Sequence, residues 1–165
     1  MSSVAAPQMI PVAMGEIGVC RSEGTLRTLL GSCVGIALTD RQLRVSGLAH
    51  VVLPDSLGRN PDNSGKFADT AIPELVRRMQ SLVGSQKLNL SAKIAGGANM
   101  FSQSSISSVS NVSSQNIEAV ERVLRRLGIP IIARHCGGVA GRRMAVNAPN
   151  GAVTIDLIGS DTVYL

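Results

Sequence analysis

Aromatic side chains are nearly absent from this sequence. Only Phe67, Phe101 and Tyr164 are aromatic among 165 residues, although 44% of the residues are apolar. A core must therefore be built from valine, isoleucine, leucine, alanine and methionine. Proteins that bind single-stranded nucleic acid stack bases on aromatic rings, and the chain also lacks a long basic run. The sequence argues against a nucleic-acid partner.

Cysteines and long apolar runs are also scarce. Cys20, Cys33 and Cys136 are too few for the disulfide framework of a small secreted domain. The first residues do not show the basic and then apolar pattern of a signal peptide. No segment reaches the ~18 apolar residues of a membrane span. We therefore expect a cytoplasmic protein that does not insert into a membrane.

Charged residues are few as well, at 16%, but the net charge is +5. Most of the basic residues are arginine, whose planar guanidinium binds carboxylates well. Ordinary surface charge accounts for part of this excess. An acidic partner surface is the other interpretation.

The pattern along the chain predicts one domain over residues 9–165, after a mobile tail at residues 1–8. Helical spacing predicts one helix that Asp69 caps and Gly84 ends, and a second over residues 114–127. A serine-rich loop is expected at 102–114. Short apolar runs predict strands at 26–30, 34–38, 45–53, 92–95, 129–134, 143–147 and 152–158. The fold class is therefore α+β, with two helices on mixed sheets.

Cys33 is the first residue that could carry chemistry. It follows Gly31 and Ser32, between two apolar strands, where a tight turn is expected. Such a turn can expose a thiol and leave backbone N–H groups free, as an oxyanion hole requires. A free cysteine is more often a small buried apolar residue, so this segment alone leaves both interpretations open.

His50 is one of two histidines and lies in an otherwise apolar strand. A structural histidine is the common interpretation of such a position. However, the polar turn at residues 40–42 predicts a hairpin between the strands that follow Cys33 and contain His50. These neighbouring strands can bring the thiol and the imidazole together, which is the minimal activated nucleophile.

Other candidate sites are weaker. His135 and Cys136, with Cys33 and His50, supply four ligand types that zinc accepts. The usual paired spacing of zinc ligands is missing, so we expect no metal and no cofactor. The glycine pairs at 96–97 and 137–138 match no phosphate-binding loop and indicate close backbone packing.

Four segments, in this order and at this spacing, resemble CheD, a family of chemoreceptor glutamine deamidases. The matching runs are 30–35 (LGSCVG), 49–56 (AHVVLPDS), 66–71 (KFADTA) and 92–101 (AKIAGGANMF). The likeness covers roughly residues 10–157. It implies an α/β sandwich similar to that of the cytotoxic necrotizing factor deamidase toxins.

The resemblance also implies the activity. Cys33 is the expected nucleophile, His50 its base and Thr28 the third catalytic residue, with the turn at Gly31 and Ser32 beside the oxyanion. The expected reaction converts glutamines of methyl-accepting chemotaxis receptors to glutamates. Some family members bind the phosphatase CheC, which makes CheC a candidate partner.

The sequence departs from the family pattern at Ser113, Gln115 and His135, where glycine, arginine and an acidic residue are usual. We expect the departures at Ser113 and Gln115 to affect substrate contacts, loop geometry or CheC binding. The Gly-Ser-Cys and histidine motifs are intact, so we expect the chemistry to be retained. Two alternatives stay open. One is a thiol hydrolase, for instance a methylesterase, with a different protein target, and the other is a non-catalytic chemotaxis binding module.

Overall fold

Short aliphatic segments form two five-stranded mixed sheets. The computed structural model describes residues 8–59, 62–100, 107–157 and 159–165. The strands are β1 (Met9–Pro11), β2 (Ile17–Arg21), β3 (Thr25–Leu30), β4 (Val34–Asp40), β5 (Val45–Val51), β6 (Ser91–Gly96), β7 (Ile131–Cys136), β8 (Arg142–Asn147), β9 (Val153–Leu157) and β10 (Val163–Tyr164). The helices are α1 (Ala68–Val83) and α2 (Ser107–Arg126).

The strand order is β1-β3-β8-β9-β10 in the first sheet and β2-β5-β4-β6-β7 in the second. Each sheet contains one parallel pair, β1 with β3 and β6 with β7. The remaining pairs are antiparallel. The hairpin predicted around residues 40–42 is confirmed by the antiparallel pairing of β4 with β5.

The second sheet is covered on both faces. One apolar cluster lies between the two sheets and includes Leu26, Leu48 and Met144. The other lies between the second sheet and both helices and includes Ile36, Leu75 and Leu124. Every residue of β4 and β5 is therefore buried, as expected for nearly continuous apolar strands. This layering confirms the α+β class.

Helix α1 ends at Gly84, as predicted, with a positive φ of 66° that suits glycine. The prediction that Asp69 caps its start is wrong. The cap position is Phe67, which makes no side-chain cap bond. Asp69 lies in the first turn instead and accepts hydrogen bonds from the amide and hydroxyl of Ser56, so its carboxylate orders the preceding loop.

Helix α2 begins earlier than predicted, at Ser107 rather than Ser114. The prediction of a loop over 102–114 is therefore wrong from residue 107 onward, and residues 102–106 lie outside the described part of the chain. Serine and asparagine usually favour turns because their side chains compete for backbone hydrogen bonds. Here Ser113 and Asn116 are buried and bond to the backbone of other segments.

Strands β1, β2 and β10 were not predicted separately because they are short or lie at sheet edges. The tail predicted at residues 1–8 falls almost wholly on residues 1–7, which the structure does not describe. No described helix is long and apolar enough to cross a membrane.

The two glycine pairs differ. Close packing is confirmed for Gly96, since a Cβ there would lie 2.2 Å from the Cys33 carbonyl oxygen. The prediction of close packing is wrong for Gly137, because a Cβ there would meet no atom within 4 Å. Glycine suits this position because its φ is 83°, which other residues rarely adopt.

Candidate active site

Thr28 and His50 meet across the space between the two sheets. Alternation along β3 turns Thr28 inward from the first sheet, and His50 projects from β5 of the second sheet. The Thr28 Oγ1 and His50 Nδ1 atoms are 2.7 Å apart, and both residues are buried. The sandwich therefore joins two of the three residues that the sequence singled out.

This contact fixes the tautomer of the imidazole. The Thr28 hydroxyl has one proton, and it donates that proton to the Val12 carbonyl oxygen at 2.6 Å. Thr28 must then accept from His50, so the neutral ring carries its proton on Nδ1. The Nε2 atom is left with a lone pair, and it has no hydrogen-bond partner among the described residues. His50 is thus arranged as a proton acceptor at Nε2.

Cys33 lies on the same face of the second sheet as His50. Gly35 pairs directly with His50, and Val34 pairs with Val51, so Cys33 is one position beyond the paired strand and diagonal to the histidine. Diagonal neighbours on one face of a sheet are within reach of longer side chains. The space above Gly35, between these two positions, is occupied by the side chains of Met144 and Leu30.

The thiol is buried, with Cys33 only 6% exposed at the edge of the inter-sheet cluster. Burial raises the pKa of the Cys33 thiol, and a hydrogen bond from the Ser32 side chain opposes part of that rise. Burial also lowers the pKa of His50. Both shifts favour the neutral thiol and the neutral imidazole. The structure brings Thr28 to His50, but it records no hydrogen bond between the Cys33 sulfur and His50, whose Nε2 has no partner among the described residues.

The turn before Cys33 supplies a free backbone donor. The Cys33 carbonyl accepts from the Gly97 N–H at 2.7 Å, and the Gly31 carbonyl accepts from the Ala98 N–H at 2.9 Å. The N–H of Cys33 itself donates to no acceptor in the described residues. A backbone N–H in this position, beside a nucleophile, has the character of an oxyanion-hole donor.

Two surface cavities flank this region. A cavity of about 490 Å³ is lined by Thr28, His50 and neighbouring residues, and one of about 590 Å³ is lined by Gly31 at the turn. Leu29, which is 68% exposed, and Arg143 line both cavities. Cys33 lines neither of these two cavities.

Asn116 was missed by the sequence reasoning. It lies on α2 and is fully buried, and its Nδ2 donates to the carbonyl oxygens of Ser32 and Val52 at 3.3 and 3.0 Å. The available signal was an amide side chain one turn before Val120, on the apolar face of the helix. One buried side chain thus joins the segments that carry Cys33 and His50.

His135, of the second histidine–cysteine pair, is hydrogen-bonded to Arg142. Arg142 donates to the His135 Nδ1 at 2.8 Å and to the His135 carbonyl at 2.6 Å, and it also donates to Gly137. The guanidinium therefore orders the loop between β7 and β8. No group of three or more potential metal ligands is found among the described residues.

The three residues at which the sequence departs from the family pattern lie in different parts of the structure. Ser113 is buried and donates to the Ala98 carbonyl at 2.7 Å, and the Ala98 N–H in turn donates to the Gly31 carbonyl in the turn before Cys33. Gln115 is exposed on α2. His135 is half-buried beside Arg142. Only Ser113 therefore contacts the loop that supports Cys33.

The chain is similar to proteins of one family. The family model for CheD chemotactic sensory transduction matches residues 52–157, more than half of the chain. A probable chemoreceptor glutamine deamidase CheD of Clostridium botulinum is 44% identical over 158 residues, covering 94% of this chain and 97% of that protein. Proteins with the same name from Methanococcus maripaludis and Lachnoclostridium phytofermentans are 44% and 45% identical, covering 89% and 92% of this chain and 94% and 95% of their own lengths. The chain therefore belongs to the CheD family.

Proposed function

We propose that this protein is a chemoreceptor glutamine deamidase that uses Cys33 as nucleophile, His50 as general base and Thr28 as the residue that orients the base. The observation that carries the proposal is the bond between Thr28 and His50 Nδ1, which leaves Nε2 free as an acceptor on the face that Cys33 shares. Family membership supports the substrate class, since the relatives are named for it.

The reaction proceeds in two halves. His50 Nε2 takes the Cys33 proton as the sulfur attacks the glutamine side-chain carbonyl carbon, and the Cys33 N–H stabilises the oxyanion. The protonated imidazole gives its proton to the departing ammonia, which leaves a thioester. His50 next takes a proton from water, the hydroxide attacks the thioester, and glutamate and the thiol are released. Nothing is oxidised or reduced in either half.

The low exposure and raised thiol pKa of Cys33 favour the alternative of a non-catalytic binding module. Turnover of a receptor substrate distinguishes the enzyme from the binding module. We expect incubation with a purified chemoreceptor cytoplasmic fragment to release ammonia and to convert specific glutamines to glutamates, measured by peptide mass spectrometry. Stable complex formation without any conversion would instead establish the binding module.

The identity of the substrate also separates deamidation from ester hydrolysis. The same thiol chemistry could cleave a glutamyl methyl ester, which releases methanol rather than ammonia. Methylated and unmethylated receptor fragments, assayed in parallel for both products, distinguish the two reactions. Binding to CheC and localisation to the cytoplasm stay predictions of the sequence.

Thr28→Val is expected to lower kcat by about 10-fold with little change in KM. Valine has nearly the same shape but cannot accept from His50, and one neutral hydrogen bond contributes on the order of 1 kcal/mol. Kinetics of ammonia release measure the effect. Thr39→Val is the matched control, because Thr39 is also a buried strand threonine, bonded to Ser46 at 2.9 Å. Equal losses in both variants would refute an orienting role.

The pH dependence follows from the neutral form of His50. Because burial lowers its pKa below the ordinary value of about 6.5, the imidazole stays unprotonated at neutral pH. We expect kcat/KM, which reports the titration of the free enzyme, to be constant as pH falls to that value and to decline only at lower pH. A decline centred above pH 6.5, in a profile measured with stable enzyme, would contradict a buried neutral base.

A further inference from the structure

Asn116 connects two segments of the proposed site. Its Nδ2 binds the Ser32 carbonyl in the catalytic turn and the Val52 carbonyl, two residues beyond His50. Both partners can only accept hydrogen bonds, so the amide nitrogen must face them. The side chain of α2 therefore holds the nucleophile segment and the base segment at a fixed separation.

The bond to Ser32 also orients the next amide. The Ser32 carbonyl and the Cys33 N–H belong to one planar trans peptide, so they point in opposite directions. Asn116 draws this carbonyl toward α2, and the Cys33 N–H must then point away from the helix. That N–H is the donor that makes no hydrogen bond within the described residues.

The rest of the Asn116 amide is poorly matched to a purely structural role. Its Oδ1 is buried and has no hydrogen-bond partner in the described residues. An unpaired buried oxygen destabilises a fold, and an apolar side chain of the same shape would avoid this cost. The orphaned oxygen therefore calls for an explanation other than stability.

From these contacts we infer that Asn116 is a positioning residue, which aims the Cys33 N–H at the oxyanion of the reacting amide. The inference rests on the proposed deamidation at Cys33. Asn116 does not touch the substrate, and it acts through the Ser32–Cys33 peptide. Its loss lets this peptide rotate, so stabilisation of the transition state declines while ground-state binding is retained.

The test is Asn116→Leu, which keeps the approximate shape and removes both donors. Loss of one oxyanion donor lowers kcat by about 10²–10³, so a misdirected donor is expected to lower kcat at least about 10-fold. KM for the receptor fragment should change little. Alkylation of Cys33 by iodoacetamide needs the thiol and its base but no oxyanion hole, so its rate should stay at the wild-type value.

Val123→Ala is the matched control, because Val123 is buried on the same helix and contacts neither Ser32 nor Val52 by hydrogen bonds. It should lower the melting temperature while keeping kcat. If Asn116→Leu does not fold, Asn116→Ala provides the same comparison. Wild-type kcat in a folded Asn116 variant, or an equal loss in Val123→Ala, would overturn the inference alone. A wild-type enzyme that converts no receptor glutamine would overturn the proposed function together with it.

Discussion

Cys33→Ala is expected to abolish conversion of receptor glutamine to glutamate. The proposed thioester forms on the Cys33 sulfur, and alanine offers no nucleophile at that position. The variant should still fold, because alanine replaces a small side chain at the edge of the inter-sheet cluster. Mass spectrometry of receptor peptides after prolonged incubation measures the loss.

The control is Cys20→Ala. Cys20 is also a buried free thiol of the same apolar cluster, at 8% exposure, but it lies on β2 and its sulfur contacts the Glu23 carbonyl. Its replacement should change stability by a similar amount and leave turnover intact. Conversion of glutamine by purified Cys33→Ala at the wild-type rate would eliminate the thioester mechanism.

The burial of Cys33 predicts that its thiol is alkylated slowly. With a raised thiol pKa, uncatalysed alkylation at neutral pH should be slow compared with that of an exposed cysteine whose thiolate is stabilised. A receptor fragment that displaces the covering side chains should accelerate labelling or protect the sulfur outright. Either change would be detected by quantifying the Cys33 peptide.

The sequence predicted the layers of this fold better than its edges. Unbroken apolar runs identified β4 and β5 and their double coverage, because a two-sided core requires apolar residues at every position. The start of α2 was misplaced because serine and asparagine favour turns in isolation. Their cost is offset here by tertiary partners, such as the Ala98 carbonyl for Ser113, which local sequence does not reveal.

The candidate site was predicted in a similar way. Cys33, His50 and Thr28 were named from the sequence, largely through a family resemblance, and the structure brings Thr28 to His50. The Val12 carbonyl that fixes the proton on His50 could not be predicted, because it depends on the pairing of β1, which was not predicted, with β3. Asn116 was missed because its two partners are distant in sequence.

His50→Asn is expected to lower kcat by about 10²–10⁴, the usual contribution of a general base. Asparagine can place an amide near the position of Nδ1 and continue to donate to Thr28, but it has no basic atom at the position of Nε2. The variant thus separates the orienting bond from proton transfer. Kinetics of ammonia release and the alkylation rate of Cys33 should both decline, because both use the same base.

Acid stability provides an independent check on the same side chain. The folded-state pKa of His50 is lowered, so between that value and about 6.5 the unfolded chain binds more protons than the folded one. The free energy of unfolding must therefore decrease as pH falls through this range. His50→Asn removes that proton uptake, so its stability should decline less with acid than that of the wild type. Parallel urea titrations measure the difference, and equal slopes in both proteins would show that His50 is not a buried neutral base.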